Sequence, residues 1–174
     1  MSPFIKAEAS TVKGVPRVTY IDEEGNKEIK VGGSRSWRNN NPGNTRNISS
    51  AIGRDKGKFD IFADEETGRQ AKITIIKNKY GEYSSIRQML KGKFDSKGNF
   101  IMGSGYAPAC DANDPDHYAE VIHKKTGLDV ESTQIKKLTE VQITQLVDAI
   151  KMQEGWIEGT VTQEPVAKPP PKPK

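Results

Sequence analysis

A chain of 174 residues is long enough for one domain with its own core and short for two. Its 27 basic and 23 acidic residues leave a net charge of +4, too mild an excess to mark a nucleic-acid binder. The single cysteine excludes an internal disulfide framework, and no apolar stretch is long enough to span a bilayer or follows a basic start as in a signal peptide.

The hydrophobic share of 33% is low, and part of the deficit lies at the ends. Residues 1–16 show no sustained period and read as a flexible segment. Residues 160–174 close on Pro-Pro-Pro-Lys-Pro-Lys and read as a disordered tail or linker, because a proline–lysine composition buries too little surface to fold. Residues 17–159 are then the folded body.

Within it, Val18 to Ile21 and Glu28 to Val31 are β-prone runs separated by a polar segment with Gly25 and Asn26, the pattern of a hairpin. Gly32 and Gly33 release the chain into Trp37-Arg38-Asn39-Asn40-Asn41-Pro42-Gly43-Asn44-Thr45-Arg46, which its asparagines, proline and glycine keep out of helix and central strand. Stacking surface, amides and guanidinium forks gather there, the groups that hold a sugar. An Asn-rich turn whose amides cap neighbouring backbone explains the same composition.

Phe59-Asp60-Ile61-Phe62 reads as a brief strand with both aromatics turned to the core. Asp64-Glu65-Glu66 opens a helix reaching Tyr80; acids suit the positive end of a helix, and a catalytic use of the same carboxylates is the alternative. A short helix follows from Ser84 or Ser85 to Gly92, then a small turn at Asp95–Asn99. Tyr106-Ala107-Pro108 is available to line a groove. Asp114-Pro115 opens a helix that Gly127 ends. Cys110 reads as a small buried or half-buried side chain, and with His117 and His123 it matches no metal-ligand spacing, so neither metal nor cofactor is expected.

Thr139-Glu140-Val141-Gln142 forms a capping box for a last helix whose Ile143, Leu146, Val147 and Ile150 make one buried stripe. It ends at Glu154-Gly155-Trp156. A carboxylate at a helix C-terminus faces the negative end of the macrodipole, and a neighbouring Trp disfavours its anion further, which is how a glutamic acid is kept protonated for use as a general acid. An exposed Glu before a glycine cap is the plainer alternative.

Taken in order, Trp37 to Asn44, Phe59 to Phe62 with Glu66-Thr67-Gly68, Tyr106-Ala107-Pro108 with Asn113-Asp114 and Tyr118, Gly127, and Glu154-Gly155 resemble a family of phage proteins and type VI secretion effectors associated with lysozyme-like activity on peptidoglycan. The resemblance covers most of residues 18–157. It implies an α+β, mainly α, lysozyme-like helical domain with a small N-terminal β-hairpin. The domain would be permuted, since Glu154-Gly155 follows the Asn loop instead of preceding it.

On that basis the expected function is a muramidase-type glycosidase cleaving the peptidoglycan glycan backbone, with a lytic transglycosylase as variant. Glu154 is the expected general acid. Asp22, Glu23 and Glu24 are candidates for the second carboxylate if the hairpin folds over the cleft, or else a solvated turn. Trp37, Arg38, Asn39, Asn40, Asn41, Asn44 and Tyr106 are the expected substrate contacts. The expected partners are glycan strands and an immunity protein or a phage or secretion-system component, with no nucleic acid and no membrane insertion. The expected protein is a monomer, made in the cytoplasm and acting at the cell wall of a target or host bacterium after delivery. A non-catalytic glycan- or protein-binding module is the alternative.

Overall fold

A computed structural model of the chain describes residues 2–167, and these divide into two compact units. One comprises the residues up to Ala71 together with those from Glu154 onward; the other is Lys72–Gln153.

The first unit is built on an antiparallel sheet of strands β1 (Phe4–Val12), β2 (Val15–Asp22), β3 (Lys27–Val31) and a late strand, Thr160–Glu164, in that spatial order. β1 and β2 turn through Lys13 and Gly14, both at positive φ, a two-residue hairpin loop matched to strand twist. The β2–β3 hairpin is the expected one, closed by Asp22, whose carboxylate accepts from the backbone N–H of Glu24 and Asn26 and from the Asn26 amide. Ala7, Val18, Tyr20 and Ile29 are the buried apolar residues of these strands, and a short helix α1 (Arg35–Arg38) leads from β3 into the Asn-rich loop. Strands β4 (Gly53–Arg54) and β5 (Asp60–Ile61) form a second small ladder, seated on β1 where Ala7 N–H donates to the Ile52 carbonyl.

Helix α2 (Glu65–Tyr80) begins in the first unit and continues into the second. There α3 (Ile86–Lys91), α4 (Pro115–Thr126) and α5 (Glu140–Gln153) enclose a core in which Ile76, Ile86, Leu90, Ile122, Leu146 and Ile150 are fully buried. The sequence punctuation operates as expected. Ser85 caps α3, Asp114 caps α4 ahead of Pro115, Gly127 ends α4 at positive φ, and Thr139 and Gln142 bond each other's backbone N–H at the start of α5.

Several expectations are corrected. The fold is α+β with a four-stranded antiparallel sheet; it is not the mainly α, lysozyme-like, permuted domain that the resemblance implies. Residues 1–16 are not a flexible lead but contain β1. Residues 160–164 are not tail but strand β6, antiparallel to β3 with Val31 opposite Thr160 and Lys27 opposite Glu164. Both strands escaped detection for one reason. β1 fully buries only Ala7, with Phe4 and Ala9 partly buried beside it, and β6 buries nothing, so backbone pairing carries much of their hold and leaves a weak apolar period in the sequence. The expected tail at 168–174 lies outside the described residues. Phe62 is fully buried whereas Phe59 is half-exposed, because three residues apart along an extended chain point to opposite faces. Cys110, expected buried or half-buried, is exposed. Among the described residues no helix is long and apolar enough to cross a membrane.

Candidate functional site

The Asn-rich loop is fastened at both ends. Ser34 caps α1 by accepting from Trp37 N–H, and the same hydroxyl accepts from Ile157 N–H while Ser34 N–H donates to the Ile157 carbonyl at 2.8 Å. Gly33 permits this approach: its φ is +61° and a Cβ there would lie 2.6 Å from the Ile157 carbonyl oxygen. The segment after α5 is thereby stapled to the start of the loop.

The asparagines serve two purposes. Asn40 and Asn44 adopt φ of +50° and +46°, a region Asn tolerates better than other side chains with a Cβ. Their amides, and those of their neighbours, then bind the loop together. Asn41, fully buried, donates to the carbonyls of Thr45 and Asp60 and accepts from Thr45 N–H and Oγ1. Asn40 donates to the Phe62 carbonyl and accepts from Lys30 Nζ at 2.6 Å. Asn39 donates to Asp55 at 3.1 Å. These three side chains are 5% exposed or less and engaged with protein, so the substrate contacts expected of Asn39, Asn40 and Asn41 are not available as surface amides.

Trp37 is likewise buried, with Lys30 Nζ 4.9 Å from its ring centre, so it offers no open stacking face. Burial pulls the Lys30 ammonium below its ordinary range, against the opposing pull of Glu28, Glu65 and Glu158. Arg38 spends its Nη1 on the carbonyls of Gly32 and Gly33, at 2.8 and 2.6 Å. Burial and the neighbouring Arg35 both lower its pKa.

Asn44 is the member of the set that reaches outward: its Nδ2 donates to Glu154 Oε2 at 3.4 Å. Glu154 stands exposed in the turn after α5, ahead of Gly155 at φ +87°. Two residues that sequence reasoning selected separately are thus brought together within one unit.

Of the hairpin acids, Asp22 is 2% exposed and its carboxylate is consumed in closing the hairpin, the Asn26 hydrogen bond first among the causes that hold its pKa down. Its oxygens are spent within its own turn, so it is not a free second carboxylate. Glu23 and Glu24 are exposed in the same turn, at the Lys27–Glu164 end of the β3–β6 ladder. Tyr106 belongs to the second unit, where its hydroxyl accepts from Lys72 Nζ at 2.8 Å.

Two further groups of the first unit bear on the loop: Asp60, which sequence reasoning missed, and the first turn of α2, whose acids it weighed as a catalytic alternative. Asp60, fully buried, accepts from Asn47 N–H, Ile48 N–H, Thr45 Oγ1 and Arg54 Nε, and so anchors the far side of the loop. A lone acid inside Phe59-Asp60-Ile61-Phe62 was its signal. The first turn of α2 also lies directly on the loop, since a Cβ on Gly68 would fall 2.0 Å from the Asn40 carbonyl oxygen and 3.0 Å from Pro42. Glu66 is exposed on that turn, and hydrogen bonds from Gln70 and Arg69 hold its carboxyl below the ordinary range. Among the described residues no three His, Cys, Asp or Glu side chains gather as a metal site. Comparison with protein families, with curated proteins and with solved structures finds no match to this chain.

Proposed function

We propose that the protein cleaves the N-acetylmuramyl–N-acetylglucosamine backbone of peptidoglycan, with Glu154 as general acid and Asn44 as the residue that orients it. The observation that carries this reading is the Asn44–Glu154 hydrogen bond, which joins the resemblance-bearing loop to an exposed carboxylate. Glu154 donates its proton to the leaving glycosidic oxygen as the bond to the anomeric carbon breaks. With Asp22 committed to its own hairpin, we assign the second carboxylate to Glu66, exposed and ionised on the turn of α2 that lies against Asn40 and Pro42. It takes the proton of the attacking water or faces the developing positive charge. The protein acts in this reading as a phage lysin or a secreted antibacterial effector, delivered to the wall by other components.

A non-catalytic wall-binding module is the second reading, favoured by the engagement of the Asn39, Asn40 and Asn41 amides with the protein itself. Digestion of purified peptidoglycan separates the two. Wild-type protein releases muropeptides detectable by mass spectrometry, and Glu154→Gln lowers the rate roughly 10²- to 10⁴-fold, the usual contribution of a general acid. Reducing ends identify a hydrolase and anhydro ends a transglycosylase. No fragments from folded wild-type protein would sink the enzymatic reading.

A further inference from the structure

One cleft of the first unit does not have Glu154 in its lining. It is a cleft of about 160 Å³ between β1, the start of β2, α1 and the β4–β5 turn. Arg17, Arg35, Arg38 and Lys56 line it, against one acid, Asp55. Asp55 pairs with Arg35 at 3.2 Å and accepts from Asn39, so the cleft keeps a strong positive excess.

That excess is costly to assemble. Three guanidiniums around so small a volume repel one another, and Arg38 is half-buried with Nη1 bound only to neutral carbonyls. Arg17 adds a sharper sign: its Nε is buried and has no hydrogen-bond partner among the described residues. A buried N–H is left unpaired at a cost of about 1–3 kcal/mol, which a chain built only for stability avoids. A bound oxyanion removes the first of these costs, because it neutralises the cluster and accepts from forked donors whose geometry matches a carboxylate or phosphate.

We propose that the Arg17–Arg35–Arg38–Lys56 cleft is a binding site for a small oxyanion, a carboxylate or phosphate group carried by a ligand of this protein. The chemistry is shared by peptide carboxylates and by phosphate esters, and the cleft volume admits one such group with little else.

Thermal unfolding of the full chain tests this, with inorganic phosphate, acetate and N-acetyl-D-alanine as probes and sodium chloride at matched ionic strength as control. Binding to the native state raises Tm with ligand concentration in a saturable way. We expect such a rise with at least one oxyanion and not with chloride. The larger response of phosphate or of the carboxylates identifies the source. Arg17→Gln is the informative variant, since it removes an unpaired donor and a like charge: without ligand its Tm is unchanged or higher, and the oxyanion-dependent rise falls at least tenfold in apparent affinity. Lys56→Gln, on an exposed position, weakens binding without altering the fold. Equal Tm in oxyanion and chloride, or an undiminished oxyanion response in Arg17→Gln, would overturn the proposal. The readout does not involve wall cleavage, so the outcome is separate from the role of Glu154.

Discussion

Asn44 and Glu154 lie 110 residues apart in the chain and meet through a 3.4 Å hydrogen bond from the Asn44 amide to a Glu154 carboxylate oxygen. The loop that positions Asn44 is held from inside by Asn41 and Asp60, and the segment following Glu154 is held by the paired Ser34–Ile157 bonds. These bonds fix the backbone from which each of the two side chains projects.

If Asn44 orients Glu154, removing the amide without disturbing the backbone should lower activity modestly. Asn44→Gly suits this test, because glycine accepts φ of +46° whereas alanine would add strain. We expect kcat/KM on peptidoglycan fragments to fall on the order of 5- to 10-fold, the worth of one exposed hydrogen bond of about 1 kcal/mol, with Tm nearly unchanged. An unchanged kcat/KM would remove Asn44 from the mechanism.

Gly68 tests the seating of α2 on the loop. Alanine normally stabilises a helix over glycine by about 1 kcal/mol. Here its Cβ would sit 2.0 Å from the Asn40 backbone oxygen, which cannot rotate aside. Overpacking of this kind costs about 1–3 kcal/mol or more, so the net effect should be destabilisation by roughly 2 kcal/mol. Chemical denaturation of Gly68→Ala measures it, and a stabilised variant would contradict the packing described.

The hairpin acid Asp22 predicts a pH dependence of stability. Its pKa is lowered in the folded protein from an ordinary value of 3.8, because the ionised carboxylate accepts from Asn26 and the adjacent backbone. A depressed carboxyl favours the folded state above its unfolded pKa and loses that contribution as pH falls through the folded one. Tm of the wild type should therefore drop below about pH 4 more steeply than that of Asp22→Asn. Parallel acid limbs for the two proteins would show that the carboxylate is not what closes the hairpin.

The role of β6 is open to truncation. A chain ending at Gly159 loses the five residues paired with β3 and leaves β3, with buried Ile29, as an open edge. We expect a loss of about 2 kcal/mol, since the ladder's net hydrogen-bond gain is partly offset by the entropy of ordering an exposed strand. Removal of residues 168–174 alone is the control, and equal stability of both truncations would reduce β6 to a loose appendage.

The features readable along the chain are local. Helix starts at Ser85, Asp114 and Thr139, the stop at Gly127, the β2–β3 hairpin and the buried stripe of α5 are each written in a few adjacent residues, because capping, positive φ and helical periodicity are short-range effects. That Asn44 sits in a turn and Glu154 just past a helix end was legible too, through turn chemistry and helix periodicity. Strand pairing and the engagement of polar side chains depend on the fold. Nothing in residues 4–12 or 160–164 announces a strand, since each is stabilised by backbone hydrogen bonds to a partner chosen elsewhere in the chain. The same composition that suggested sugar-binding amides at Asn39, Asn40 and Asn41 suits amides that bind the protein to itself, and only folding shows which donors are spent. The Arg17–Arg35–Arg38 cleft was invisible for the same reason: charges far apart along a chain interact only once the fold brings them within a few ångströms, where solvent screening is weak.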